Sequence, residues 1–251
     1  MPHDYLEHPG PLPFAHRGGA SAAPENTAAA FQYAVDLGYR YLETDVHVTA
    51  DGVLVAFHDV DLSRTCGRPG IVGAMPWAEV ATARVAGREP IPRLDELLAA
   101  WPQARWNIDC KSDDAVEALV EVLERADCLD RICVGAFSDR RLRRLRQRLG
   151  PRLCSSLGPL ATARLVAASR SHPSLARPSG HAAQIPLRQG PVPVVTDALV
   201  ATAHRLGLQV HVWTIDDPGT MHRLLDLGVD GIMTDQPLVL RNVLEQRGQW
   251  F

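Results

Sequence analysis

Short apolar runs alternate with longer amphipathic stretches along almost the whole chain. The runs have strand length: PFAHR (13–17), YLETDVHV (41–48), VLVAFH (53–58), RWNIDCK (105–111), RICVGAF (131–137), PRLCSSL (151–157), AAQIPL (182–187), LQVHVWTI (208–215) and DGIMTD (230–235). Between most of them, apolar residues recur at helical spacing, over 25–38, 92–101, 113–126, 139–150, 161–170, 196–207, 218–228 and 237–248. Several of these stretches end at glycine, a common helix stop. Repeated strand-then-helix units predict parallel strands joined by right-handed crossovers. Residues 41–48 and 53–58 count as one barrel strand with a hairpin extension, turned at Asp51-Gly52. The count is then eight units. The expected fold class is α/β, a TIM (β/α)8 barrel, with residues 1–251 as one domain. An open doubly wound sheet would require G-x-G-x-x-G after the first strand, and HRGGASAAP does not match it.

One stretch breaks the rhythm. Residues 59–91 contain four glycines and three prolines and show weak periodicity. They read as a small insertion after the second strand, packed over one end of the barrel.

Composition narrows the function. Apolar residues make up 46% and charged residues 22%, as in globular proteins. A net charge of −3 gives no global pull toward nucleic acid or anionic membranes. The arginines of DRRLRRLRQRLG are expected on a solvated outer face, above Leu142, Leu145 and Leu149. No apolar run approaches the ~20 residues that span a bilayer, so no membrane insertion is expected. MPHDYLEHPG lacks a basic-then-apolar leader pattern, and the expected location is cytoplasmic. The five cysteines follow no zinc spacing and read as reduced, mostly buried thiols.

Candidate chemistry lies where strands end, because parallel barrels build their sites at the C-terminal ends of the strands. His16 and Arg17 close the first strand. Glu43 and Asp45 lie two apart in the second and share a face. His58 ends VLVAFH. Asp109 and Lys111 share a face at the end of RWNIDCK. Three converging carboxylates would repel one another and raise each other's pKa. A hard divalent cation relieves this, since magnesium and calcium take oxygen ligands. Arg17 and Lys111 call for an anion, and a phosphate suits both cations and metal. His16 and His58 then form an acid–base pair for phosphate-ester oxygens. Each residue also has a plainer structural reading. The histidines could be satisfied structural residues, E-T-D could be a rim pair with Arg17, and Asp109 could bridge to Lys111.

HRGG…PENT, E-T-D-V…T-x-D-G…V-x-F-H-D and the late G-V-D-G-I-M-T-D-Q-P together resemble the glycerophosphodiester phosphodiesterases, from about residue 13 to 240. That resemblance implies a TIM barrel with a small insertion, and metal-dependent cleavage of a glycerophosphodiester to sn-glycerol 3-phosphate and an alcohol. It implies Glu43, Asp45 and Asp109 as ligands of one divalent cation (magnesium, calcium or manganese). It implies His16 and His58 as the catalytic pair, and Arg17 and Lys111 as phosphate contacts. Asp109 stands where the family commonly has glutamate. Its reach is shorter by about 1.5 Å, so the strand sits closer or a water intervenes. Trp213 resembles a pocket-lining tryptophan, Gln184 is expected as a further substrate contact, and Glu25 as an outer metal or glycerol contact or else an acid at the N-terminus of the first helix. Asp235 is expected to cap the last helix. Two competing readings remain. One is a related phospholipase D-type enzyme acting on lysophospholipids or sphingomyelin, with Ile71, Val72, Met75 and Trp77 of the insertion facing lipid. The other is a barrel that binds glycerophosphates without turnover, against which the intact histidines and ExD speak.

Overall fold

The computed structural model describes residues 3–171 and 178–251. Eight parallel strands form the centre: β1 (Leu12–Ala15), β2 (Tyr41–Val48), β3 (Arg105–Cys110), β4 (Ile132–Gly135), β5 (Cys154–Ser155), β6 (Ala182–Pro186), β7 (Gln209–Trp213) and β8 (Gly231–Thr234). Chain-order neighbours pair from β1 to β5 and from β6 to β8, and β8 returns to β1. A parallel bridge between Ser156 and Ala182 spans the gap from β5 to β6. One helix follows each strand: α1 (Ala28–Asp36), α2 (Leu94–Ala100), α3 (Ala115–Ala126), α4 (Asp139–Leu149), α5 (Pro159–Arg170), α6 (Asp197–Arg205), α7 (Pro218–Asp226) and α8 (Pro237–Gln246). The fold is the expected TIM barrel.

Boundaries shift where local chemistry competes with the apolar pattern. The helix expected from residue 25 starts at Ala28, because the Thr27 side chain accepts from Ala30 N and caps it. The strand expected over 151–157 shrinks to two residues after the one-turn helix Gly150–Arg152. VLVAFH contributes only Leu54–Ala56, antiparallel to the end of β2, as the Asp51-Gly52 turn predicts.

The arginines of α4 do more than meet solvent. Arg144 and Arg148 pair with Glu117 on α3, and Arg140 and Arg141 with Asp113. Arg146 reaches Ser155 Oγ at 2.8 Å and the Ser156 carbonyl at 2.7 Å. The five cysteines are free thiols, four of them buried and Cys66 half-buried. Among the described residues, no helix is long and apolar enough to cross a membrane.

Residues 60–91 build two short helices, a 3-10 turn and a two-stranded ribbon. Leu62, Val72, Met75 and Val80 pack on Val55 and Phe57 beside the return strand. The apolar residues expected to face lipid are therefore largely used up here. Val72 and Met75 are buried, Trp77 packs on the same cluster, and only Ile71 is exposed.

The barrel interior is layered. Its floor comes from a segment that the sequence marks only as polar. Tyr5, fully buried, meets Tyr41 edge-on at 5.5 Å, and its carbonyl accepts from Tyr41 Oη (2.9 Å) and Arg105 Nη1 (2.8 Å). Above lies a polar chain. Gln184 Nε2 donates to Asn107 Oδ1 at 2.7 Å and stands 3.4 Å from His211 Nδ1, while His211 Nε2 donates to Gln209 Oε1 at 2.9 Å.

Burial pushes His211 down to about 3, so the folded protein holds it neutral. The unfolded chain protonates it near 6.5. Its contribution to stability is complete above that value and lost progressively as pH falls from about 6.5 toward about 3, at up to about 1.4 kcal/mol per pH unit. Urea denaturation at pH 7.5, 6 and 5 should show a shallower acid-side loss in His211→Gln than in the wild type. Parallel curves would remove His211 from the linkage.

Candidate active site

At the end of β1 the chain turns sharply through His16–Gly18, with Arg17 left-handed at φ 53°. That conformation is uncommon for a residue with a side chain. It is held from both sides: Arg17 N donates to Glu43 Oε2 (2.9 Å), and Arg17 O accepts from Asn26 N (2.9 Å). The glycines that follow serve the protein rather than a ligand. A Cβ on Gly18 would lie 2.8 Å from Ala30 Cβ, and one on Gly19 would lie 2.6 Å from Pro237. They let the loop lie against α1 and α8.

On β2, Glu43, Asp45 and His47 share the inward face. Asp45 stands in register with Asp109 on β3, which brings their side chains together. Lys111 Nζ bridges the two, 2.8 Å from Asp45 Oδ1 and 2.7 Å from Asp109 Oδ2. Arg17 donates to Glu25 Oε1 at 2.8 Å, and its Nε lies 3.2 Å from Asp45 Oδ2. Asn26 Nδ2 donates to Asp45 Oδ2 at 3.0 Å. The plainer bridges foreseen for Arg17 and Lys111 are thus formed. Cations and carboxylates in one low-dielectric wall attract strongly.

The carboxylates are unequally compensated. Burial pushes Asp45 up, but Lys111 and Arg17 outweigh it and hold it below the usual range. Burial and Asp45 push Glu43 up to about 7. Asp109 Oδ1 is buried with no hydrogen-bond partner. Among the described residues, no three carboxylate, histidine or cysteine groups stand as a ready-made metal cluster. Glu43 with little compensation and the unpartnered Asp109 oxygen nevertheless fit a hard cation, which takes oxygen ligands and offsets their mutual repulsion.

Each candidate histidine is fixed by an aspartate. His16 Nδ1 donates to Asp235 Oδ1 at 2.8 Å, and His58 Nδ1 donates to Asp59 Oδ1 at 2.6 Å. Both rings line the cleft, and Nε2 is the nitrogen left for proton transfer. Burial lowers the His16 pKa, but Glu43 and the bond to Asp235 raise it further, so the net shift is upward. His47 Nε2 donates to the His58 carbonyl at 3.1 Å and steadies that loop.

Asp235 does not cap the last helix. Gln236 occupies the cap of α8 without a side-chain bond, and closure of β8 onto β1 turns Asp235 toward His16, 219 residues away in sequence. Glu25 is tied to two arginines. It lies off the cleft wall, held by Arg17 and by Arg64 of the insertion at 2.7 and 2.9 Å. Arg64 also grips Asp59, whose carboxyl its hydrogen bonds lower to about 2. His58–Asp59–Arg64–Glu25–Arg17 is one continuous chain of contacts. Gln184 lines the cleft, with its amide committed to Asn107. Trp213 lines it as well, edge-on to Phe137 at 5.8 Å. Sequence reasoning passed over Arg64 and Phe137, and quoted Asp59 and Asn26 inside the H-D and PENT motifs without giving either a role. Asp59 beside His58 and Asn26 within PENT carried a local signal; Arg64 and Phe137 did not.

The cleft holds about 780 Å³. Paired imidazoles, clustered carboxylates and two cations at the C-terminal rim define a barrel hydrolase of phosphate esters. A sequence model of the glycerophosphoryl diester phosphodiesterase family matches residues 16–239, and the chain belongs to that family. It is 44% identical to the "Probable glycerophosphodiester phosphodiesterase 2" of Mycobacterium tuberculosis, over 98% of this chain and 96% of that one. A solved structure from Silicibacter pomeroyi superposes with a TM-score of 0.83 at 27% identity, covering 99% of this chain and 100% of that one. An Oleispira antarctica phosphodiesterase, solved with the product sn-glycerol-3-phosphate, superposes with a TM-score of 0.79 at 25% identity, covering 94% and 97%. The chain is a phosphodiesterase.

Asp235→Asn should lower kcat by roughly 10- to 1,000-fold, part of what an oriented acid–base group supplies. KM should stay within about threefold of wild type, because the change alters ring orientation rather than substrate contact. A loss carried by KM alone would make Asp235 a binding residue. Arg64→Ala should show the same kcat-weighted pattern, more weakly.

Proposed function

We propose that the protein hydrolyses glycerophosphodiesters to sn-glycerol 3-phosphate and an alcohol, by His16/His58 acid–base catalysis at a divalent-cation site. The observation that carries this is the pair of imidazoles, each locked at Nδ1 by an aspartate, around one cluster of carboxylates and cations. The product found in the Oleispira antarctica enzyme supports the same chemistry here.

The chain's own groups divide the work. Lys111 has three N–H donors, of which two meet Asp45 and Asp109, leaving one for a phosphate oxygen. Arg17 keeps free guanidinium donors beyond its bond to Glu25. Both compensate negative charge as the phosphorus centre is attacked. One imidazole, in its basic form, takes a proton from the attacking water as its oxygen bonds to phosphorus. The other, as imidazolium, gives a proton to the departing alkoxide as the P–O bond breaks. Asp59 and Asp235 hold the rings and stabilise their protonated forms. Glu43, Asp45 and Asp109 would hold magnesium, calcium or manganese. When bound, that ion supplies Lewis-acid charge at the phosphate oxygens.

A panel of glycerophosphodiesters, assayed with and without chelator, tests this reading. Chelation should abolish turnover and a divalent ion should restore it. His16→Ala and His58→Ala should each lose about 100- to 10,000-fold in kcat. Full turnover in either variant would sink the acid–base pair. Calorimetric titration with magnesium, calcium and manganese should show one site in the wild type and none in Glu43→Ala. Undiminished activity after exhaustive chelation would sink the metal.

A further inference from the structure

His16 is held by Asp235, which sits in the bend between β8 and α8. A side chain on such a bend points where its own peptide groups are held. The Asp235 carbonyl accepts from Ser21 N at 3.2 Å, and the Asp235 N–H donates to Asp216 Oδ1 at 2.8 Å. The preceding residue is tied to the same oxygen. Thr234 Oγ1 donates to Asp216 Oδ1 at 2.9 Å and accepts from Gln236 N at 2.9 Å. One carboxylate oxygen thus anchors the bend from Thr234 to Gln236.

Strand pairing brings Asp216 there. β7 and β8 run parallel, with Val212 beside Ile232. Their contact continues past β7, where Ile215 N donates to the Met233 carbonyl at 2.9 Å. Asp216 follows and stands beside the end of β8. Its neighbour Asp217 has a local task, capping α7 by accepting from Thr220 N at 2.7 Å. Asp216 has no such local partner among the described residues. It lines no part of the cleft either, although Trp213 and Thr214 of the same segment do. Helix capping and substrate contact therefore leave Asp216 unexplained, and the Asp235 bend is what it holds.

We propose that Asp216 is a positioning residue for the reaction: through the Asp235 backbone it directs the Asp235 carboxylate, and so the His16 ring. The assignment rests on the acid–base reading above. Displacing a reacting group by about 1 Å costs up to about 100-fold in rate.

The test measures kcat and KM for glycerophosphocholine in Asp216→Ala, Asp216→Asn, Asp235→Ala and the double variant Asp216→Ala/Asp235→Ala. Asp216 is exposed, so water takes up the two donors that Asp216→Ala frees, and the variant should fold. It should lose roughly 10- to 100-fold in kcat, with KM within about threefold of wild type. Asp216→Asn keeps an acceptor oxygen for both bonds and should hold kcat within about threefold. Without the Asp235 carboxylate nothing is left to direct, so Asp216→Ala should cost no more than about twofold further in the Asp235→Ala background. Wild-type kcat in Asp216→Ala overturns the proposal. A loss of equal size with and without the Asp235 carboxylate also overturns it, since that marks a general weakening of the rim. Equal losses in Asp216→Asn and Asp216→Ala overturn it as well, since they mark charge rather than position. Wild-type turnover in Asp235→Ala overturns instead the reading on which the proposal rests.

Discussion

Closing eight parallel strands brings all their C-terminal ends to one rim, and this rim holds more buried charge than a low-dielectric wall tolerates without compensation. Glu43, Asp45 and Asp109 are buried within two adjacent strands. Asp45 alone draws Lys111, Arg17 and Asn26. Truncating one partner of such a set leaves an uncompensated buried charge, far costlier than losing a surface pair. The left-handed turn at Arg17 is tied to this cluster through the bond from Arg17 N to Glu43. Glu43 and one oxygen of Asp109 remain under-compensated, and that residual deficit suits a divalent cation.

The insertion belongs to the same electrostatic system. Its small apolar core seats it beside the return strand. Its Arg64 then reaches two carboxylates whose other partners are His58 and Arg17. A surface loop thereby sets the orientation of the His58 ring in the cleft. Asp235 does the same for His16 from the last strand, which only barrel closure brings beside the first. Two aspartates from distant parts of the chain thus perform equivalent tasks for two imidazoles.

The charged and apolar walls of the cleft have different origins. The charged wall comes from the acids on β2 and β3, with His16 and Arg17 after β1 and Lys111 after β3 beside them. The more apolar wall comes from segments after β4 to β7, where Leu157 is part of the core, Val166 and Trp213 pack against it, and Phe137 and Val192 are exposed.

Much of this was written locally in the chain. The strand-then-helix alternation determined the barrel, because period and strand length depend only on neighbours in sequence. The two-residue spacing of Glu43 and Asp45, and of Asp109 and Lys111, determined that each pair shares a face. Tertiary structure decided what those faces meet. Asp45 and Asp109 touch because β2 and β3 pair in one register, and a shift by a single residue would turn them apart. Asp235 binds His16 instead of capping a helix because β8 closes on β1. Tyr5 became the floor of the barrel, Glu25 an anchor between two arginines, and Gly18 and Gly19 places where α1 and α8 approach. Pattern and spacing are properties of short segments and can be read from them. Partners separated by tens or hundreds of residues depend on how the sheet closes, and no short segment carries that information.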